Sequence, residues 1–403
     1  MTKTILCGAL FTPTRWDGQA SLQIDDGRVV HIEALASAGA AGPDVIDARD
    51  AIVIPGLVDL QVNGALGWSF QVDHAAHYNE ILAYHLAAGT TSLLPTLITA
   101  PEQVLTASLS SLARQAAAVG GEAQAGQART PGIHLEGPFL NPEKSGAHDP
   151  SALRAPDLDL ARRLVTASAG CLKIVTLAPE LPGAPALIGY LAGLGITVSA
   201  GHTAATYDDM QRAITAGLRM VTHAGNASDW PHRALGEMGF LSSQPGLVGT
   251  LMADDRLMGG VILDGFHFHP ALLAPLLKIK GPDHLLLVSD ASSVAGCPPG
   301  DYDSGGLLVT IHPQGFATSG RGGGWLAGST ITLLDAVRRS VSLAGLPLQT
   351  AVHMATLGPA RAIGAAAHSG HLTPGAHADL LILNQNLSLR QVLLAGEVVR
   401  TYP

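Results

Sequence analysis

The chain has 403 residues, 47% apolar and 14% charged, with 23 Lys and Arg against 32 Asp and Glu for a net charge of −9. That balance excludes a disordered chain, and with no run of Lys or Arg to track a phosphate backbone it excludes nucleic acid as a partner. Cys7, Cys171 and Cys297 are too few and scattered for a disulfide framework or a Cys-x-x-Cys zinc site, which fits the cytoplasm, and neither a signal peptide nor an apolar run of ~18 residues is present to engage a membrane.

Residues 1–54 read as short strands, Thr4 to Leu10, Leu22 to Ile24 and Val29 to Ile32, the last two joined at Asp26-Gly27 as a hairpin. From Pro55 apolar strands alternate with helical patterns: Leu57 to Val62, a helix near Ala75 to Ala88, Thr90 to Leu94, a helix over 102–118, then Gly132 to Leu135. Leu172 to Leu177, Ile196 to Ala200, Met220 to Thr222, Gly260 to Leu263 and Leu285 to Val288 complete eight candidate strands. Helical patterns at Leu333 to Leu343 and Gln349 to Ala355 follow, and Ala378 to Leu383 and Glu397 to Arg400 are again strand-like.

Alternating βα units favour a parallel sheet with right-handed crossovers, and eight of them favour a closed (β/α)8, TIM-like barrel over an open doubly wound sheet. The expected architecture is therefore α/β. Residues 55–372 form the barrel, and residues 1–54 with 373–403 form a small β-sandwich domain from both chain ends.

Barrel active sites lie at the C-terminal ends of the strands, where Glu136, His202, His223, His267 and Asp290 fall. A catalytic divalent ion takes imidazole nitrogen and carboxylate oxygen and keeps one position open for water. Glu136, His202 and His223 supply three such ligands, and Asp290 is the candidate base for the activated water. One His among 17 carries little weight alone. Four ionisable residues at successive strand ends are hard to generate by packing needs, because such groups cluster at sites rather than in apolar strands. An amide is the natural target, its carbonyl polarised by the ion and its leaving amine protonated by Asp290.

The segments that carry these residues resemble the N-acetylglucosamine-6-phosphate deacetylases of the amidohydrolase superfamily over nearly the whole chain. They are Pro55 to Gly64, His134 to Asn141, Gly201-His202-Thr203, Thr222-His223, Ser289-Asp290-Ala291, Leu326 to Ser329 and Gly375 to Leu380. The resemblance implies a homodimer that holds one divalent ion, zinc, on Glu136, His202 and His223. It implies that Asp290 and His148 are catalytic, His148 helping to polarise the acetyl carbonyl. It also implies that Gln61, Ala147, Asn226, Ala227, His267, Leu326, Ala327 and Gly328 bind the substrate. Many amidohydrolases carry His-x-His after the first strand and hold two ions. Here Gln61 and Asn63 stand there, and neutral amides are poor zinc ligands, so Gln61 either hydrogen-bonds near the water or forms a polar turn with Asn63.

The family's Arg-Glu-Pro-Gly segment, whose Arg holds the substrate phosphate, departs from the pattern. Residues 226–246 are a lengthened version with Ser243-Gln244 before Pro245-Gly246. Ser does not replace bidentate Arg on a phosphate, so Arg233 is the candidate to take over. Trp230 and Phe240 either pack this loop or wall the sugar. The expected activity is metal-dependent deacetylation of N-acetyl-D-glucosamine 6-phosphate, with Asp290 as base and then acid. If Arg233 points elsewhere, the substrate is another or unphosphorylated N-acetyl amino sugar, or a non-sugar N-acyl compound. A cyclic-ureide hydrolase and an amino-sugar sensor are the rival readings. Gln61 and Asn63 argue against the first, and Asp290 beside the ligands argues against the second.

Overall fold

The computed structural model describes residues 2–12, 16–35, 44–119, 124, 126–229, 245–304, 307–320 and 324–403. Eight parallel strands pair in chain order: β1 (Leu57–Val62), β2 (Thr90–Ile98), β3 (Ile133–Glu136), β4 (Leu172–Leu177), β5 (Thr197–Ala200), β6 (Met220–Val221), β7 (Met258–Val261) and β8 (Leu285–Leu287). A parallel bridge between Val62 and Ala291, just past β8, brings the first and last strands together. Asn63 N–H donates to the Ala291 carbonyl at 2.8 Å in the same place.

The strands are buried along almost their whole length, as strands covered on both faces must be. Val58, Leu60, Leu94, Ile174, Ile262, Leu286 and Val288 form the apolar filling of the barrel. Leu57, Leu93, Leu135, Val175 and Leu285 pack outward with helix residues such as Ile81, Leu105 and Leu109. Local signals start the helices. Thr206 with Asp209 and Thr332 with Asp335 form capping boxes, each satisfying backbone donors at a helix N-terminus. Among the described residues no helix is long and apolar enough to cross a membrane.

The chain ends share one sheet in the order Glu397–Thr401, Leu389–Leu394, Leu380–Leu383, Val45–Pro55, Lys3–Phe11, Ala20–Asp25, Arg28–Ala34. The expected hairpin is present. Asp26 and Gly27 both have positive φ, 48° and 70°, as a two-residue turn between twisted strands requires. Four differences from the sequence expectation stand out. Val45–Pro55, not foreseen, is the strand that joins both ends, parallel to Lys3–Phe11 and antiparallel to Leu380–Leu383. β2 runs through Pro95 to Ile98, and β7 begins two residues earlier than expected. An antiparallel three-stranded sheet, Gly300–Ser304, Leu307–Ile311 and Ala317–Ser319, follows β8.

Arg129 fastens the two parts. Its Nε and one terminal nitrogen donate to the two oxygens of Asp379, at 2.7 and 3.3 Å, with both side chains 8% exposed. Its backbone pairs with Thr91 and Leu93 beside β2, while Asp379 also accepts the Ala395 N–H from the terminal sheet. Removing one member of a buried pair leaves the other charge uncompensated. Arg129→Ala is therefore expected to cost about 3–5 kcal/mol in urea unfolding. A loss below about 1 kcal/mol would mean that this pair does not hold the parts together.

Candidate active site

Glu136, the last residue of β3, is the centre of the strand-end cluster. Its Oε1 lies 2.9 Å from His223 Nε2, 3.2 Å from His202 Nε2 and 3.9 Å from His148 Nε2, with all four residues buried. Its Oε2 accepts from Gln61 Nε2 at 3.1 Å. Gln61 can reach because the β1–β2 register shifts between Asp59 and Val62. Burial alone would push the Glu136 carboxyl up, but the bonds to His202 and His223 outweigh it and hold the group well below the usual carboxylate range. Burial likewise pulls His223 down, and Glu136 more than reverses this.

Two of the histidines reveal where a proton sits. His202 Nδ1 lies 2.8 Å from the Lys144 carbonyl oxygen, which only accepts, so Nδ1 carries a proton and Nε2 is the nitrogen turned to Glu136. The Glu136 carboxylate and this Nε2 face each other across 3.2 Å, two ligand-type atoms that a divalent cation can share. His148 is the opposite case. Its Nδ1 receives the Thr99 backbone N–H at 3.2 Å and stands 2.9 Å from the Thr99 hydroxyl, so its own proton sits on Nε2, the nitrogen nearer Glu136. Burial and the His202 charge push His148 down to about 3, which keeps it neutral.

Among the described residues, Glu136, His148 and His202 place ligand-type atoms within 4.8 Å of one another. Proximity alone would make His148 a metal ligand. The proton on its Nε2 argues for a hydrogen-bond donor instead, while His223 is closer to Glu136. His223 Nδ1 is buried without a hydrogen-bond partner. Carboxylate oxygen and imidazole nitrogen suit a zinc-like divalent ion, so the residues present fit the group that the family chemistry implies.

Asp290, three residues past β8, is buried, and its Oδ1 accepts from Asn63 Nδ2 at 2.7 Å. Burial and the nearby Glu136 charge push its carboxyl up to about 6, with His223, His267 and the Asn63 bond acting in the other direction. His202, His223 and Asp290 all have left-handed backbone, with φ of 50°, 32° and 47°. Such conformations cost about 1–3 kcal/mol each and persist where the surroundings over-determine them, which is common at functional sites.

A cavity of about 480 Å³ opens above the cluster, within the range of small-molecule sites. Ala147, His148, Asn226, Ala227, His267, Asp290, Leu326, Ala327 and Gly328 line it together with Glu136, His202 and His223. Gln61 is 2% exposed and its amide is committed to Glu136. Arg233, Trp230, Phe240, Ser243 and Gln244 lie outside the described residues. The sequence did not single out Lys144, Ser69, Phe70 or Trp325, which also line the cavity, or Asn63 as the partner of Asp290. Only the spacing of Lys144 before His148 offered a signal, a cation in the loop that carries a site residue.

Buried carboxylate and imidazoles converging at the C-terminal mouth of a parallel barrel define a metal-dependent hydrolase. The amidohydrolase family model matches residues 52–399. The N-acetylgalactosamine-6-phosphate deacetylase of Escherichia coli O157:H7 is 33% identical over 400 residues, covering 99% of each chain. The N-acetylglucosamine-6-phosphate deacetylase of Danio rerio is 34% identical, covering 88% of this chain and 86% of its own. Among solved structures, an Asp-to-Ala variant of the Mycobacterium smegmatis N-acetyl-D-glucosamine-6-phosphate deacetylase, in complex with N-acetyl-D-glucosamine 6-phosphate, superposes with a TM-score of 0.88. It is 34% identical, with 99% of this chain and 100% of that one covered. The chain belongs to the amidohydrolase family, in its branch of N-acetylglucosamine-6-phosphate deacetylases, enzymes that hydrolyse a linear amide.

Gly146 shows how closely the loop before His148 packs on His202. It has φ of 57°, and a Cβ there would stand 3.2 Å from His202 Cε1. Gly146→Ala is expected to displace His202 and weaken divalent-ion affinity about tenfold or more, with thermal unfolding of the apoprotein little changed. Competition with a chelating dye measures it, and unchanged affinity would mean that His202 does not depend on this contact.

Proposed function

We propose that the protein removes acetate from N-acetyl-D-glucosamine 6-phosphate, giving glucosamine 6-phosphate, as a zinc-dependent homodimer in the cytoplasm. The observation that carries this reading is the convergence of the Nε2 atoms of His202 and His223 on the buried Glu136 carboxylate, with Asp290 beside them in the lining of a cavity of suitable size. The three cysteines are free, which suits a reducing compartment.

Glu136, His202 and His223 would hold the ion, and Gln61 fixes the second oxygen of Glu136. When bound, the ion polarises the acetyl carbonyl and makes a water molecule more acidic. The protein supplies the remaining steps. His148 donates its Nε2–H to the acetyl carbonyl oxygen as negative charge develops there. Asp290, oriented by Asn63, takes a proton from the attacking water as the new C–O bond forms. It returns that proton to the amine nitrogen as the C–N bond breaks, so acetate leaves with the water oxygen. Asn226, Ala227, Ala147, His267 and Leu326 to Gly328 surround the sugar. Lys144, in the cavity wall, supplies positive charge for the 6-phosphate, and Arg233, outside the described residues, is the candidate from the sequence for the same role.

A second reading, N-acetyl-D-galactosamine 6-phosphate as substrate, is favoured by the Escherichia coli relative that matches end to end. Comparing kcat/KM for both phosphorylated sugars and for unphosphorylated N-acetylglucosamine separates the readings. The expected result is at least a hundredfold preference for the phosphate form, reduced about tenfold or more in Arg233→Ala and Lys144→Ala. Equal rates on the unphosphorylated sugar would remove phosphate from the proposal. Asp290→Asn should retain the metal and lose nearly all turnover; near-normal activity would end its assignment as base.

The Asn63 bond favours the charged form of Asp290. Removing it raises the carboxyl further, and a base must be unprotonated to act. Asn63→Ala should therefore move the acid limb of the kcat/KM profile to higher pH by about one to two units. An unmoved limb would show that this bond does not tune the base.

A further inference from the structure

Asp264, three residues past β7, belongs to none of the roles assigned above. Its Oδ1 accepts the backbone N–H groups of Phe266 and His267 at 2.9 and 2.8 Å, and its Oδ2 lies 2.6 Å from His267 Nδ1. The two side chains are buried, 3% and 5% exposed. The Asp264 carbonyl accepts from Arg339 on helix Leu333–Ser342, which ties the loop to the outer wall of the barrel. Burial pushes the Asp264 carboxyl up, but His267 and the two N–H groups outweigh it, so the group sits below its usual range and carries its charge.

A charged carboxylate has no proton to give, so His267 Nδ1 must carry one. The opposite nitrogen, Nε2, is then the one available to the cavity that His267 lines with Asp290. We propose that Asp264 is a positioning residue for the reaction: it holds His267 in the tautomer and orientation that present Nε2 to an oxygen of the bound sugar. The inference rests on the reading of this cavity as an amino-sugar site.

Hydrogen-bond arithmetic makes the role testable. Asp264 receives three donors, and two of them are backbone N–H groups that cannot change. In Asp264→Asn the single amide oxygen must stay with those two, so the amide NH2 faces His267. Nδ1 then becomes an acceptor, and the imidazole proton moves to Nε2. The substitution keeps the shape and inverts the ring.

The test uses full-length, metal-loaded protein with 15N-labelled histidine, the His267 signals being assigned by their loss in His267→Ala. A protonated Nδ1 is expected in the wild type and a protonated Nε2 in Asp264→Asn, with kcat/KM lowered about 10- to 100-fold. The double variant Asp264→Asn/His267→Ala should be no slower than His267→Ala alone, because Asp264 acts through His267. A purely structural role would instead leave the Nδ1 proton in place, or make the two losses multiply, and either result overturns the proposal. If the wild type releases no acetate from either phosphorylated sugar, the substrate reading fails, while the nitrogen spectra still decide what Asp264 does to His267.

Discussion

At the mouth of the barrel one buried carboxylate oxygen, Glu136 Oε1, gathers the Nε2 atoms of His223 and His202 at 2.9 and 3.2 Å. Burying a carboxylate costs several kcal/mol unless a countercharge is near, and Glu136 is buried with imidazoles on one oxygen and an amide on the other. The imidazoles supply that countercharge, and the same spot concentrates backbone strain. His202, His223 and Asp290 take left-handed conformations just past their strands, and their side chains line one cavity with Glu136.

The strain is held by a polar layer beneath the site. His134, two residues before Glu136, has Nδ1 3.0 Å from the Leu60 carbonyl and Nε2 2.8 Å from the Thr176 hydroxyl. Thr176 continues to Thr222, and Thr222 to Ser199, at 2.7 and 2.6 Å. These bonds link β1, β3, β4, β5 and the end of β6, the strands that carry Gln61, Glu136, His202 and His223. Glu180 does the same above β4, accepting from Asn141 Nδ2 and Ala204 N–H at 2.8 and 2.7 Å and from the Thr203 hydroxyl. A network of this kind rigidifies what it connects, which holds Glu136, His202 and His223 in place at their strand ends.

The parts of this arrangement legible in the sequence were those with a local signature. Apolar runs marked the barrel strands, and Glu136, His202, His223 and Asp290 stood at their ends. Val45–Pro55 was not legible because Asp47, Arg49 and Asp50 interrupt its apolar pattern, and its buried half runs into Pro55 and the first barrel strand. Pro95 read as the end of β2, although a strand tolerates it where the missing N–H is not needed. The sheet after β8 is a tertiary feature in a stretch rich in Gly and Asp. Partnerships were hidden for a different reason. Nothing in the spacing of Asn63 and Asp290, 227 residues apart, announces a hydrogen bond that only barrel closure creates. The same is true of Thr99 with His148, whose bond decides between ligand and donor.

The 226–246 segment, whose sequence departs from the family pattern, is pinned at both of its described ends. Asn226 is tied back to the His223 carbonyl through its own N–H, at 3.0 Å, and Thr203 N–H donates to the Ala227 carbonyl at 3.1 Å. Asp229 then accepts the Val248 N–H at 3.1 Å, within the first turn of helix Leu247–Ala253. The segment thus leaves and re-enters the fold through a pinned base on the cavity wall. His223 is anchored by β6 and by its own turn, so its place on Glu136 is set by bonds within the described backbone. Loops that join a rigid scaffold through pinned ends are where enzymes vary substrate choice while the catalytic scaffold stays fixed.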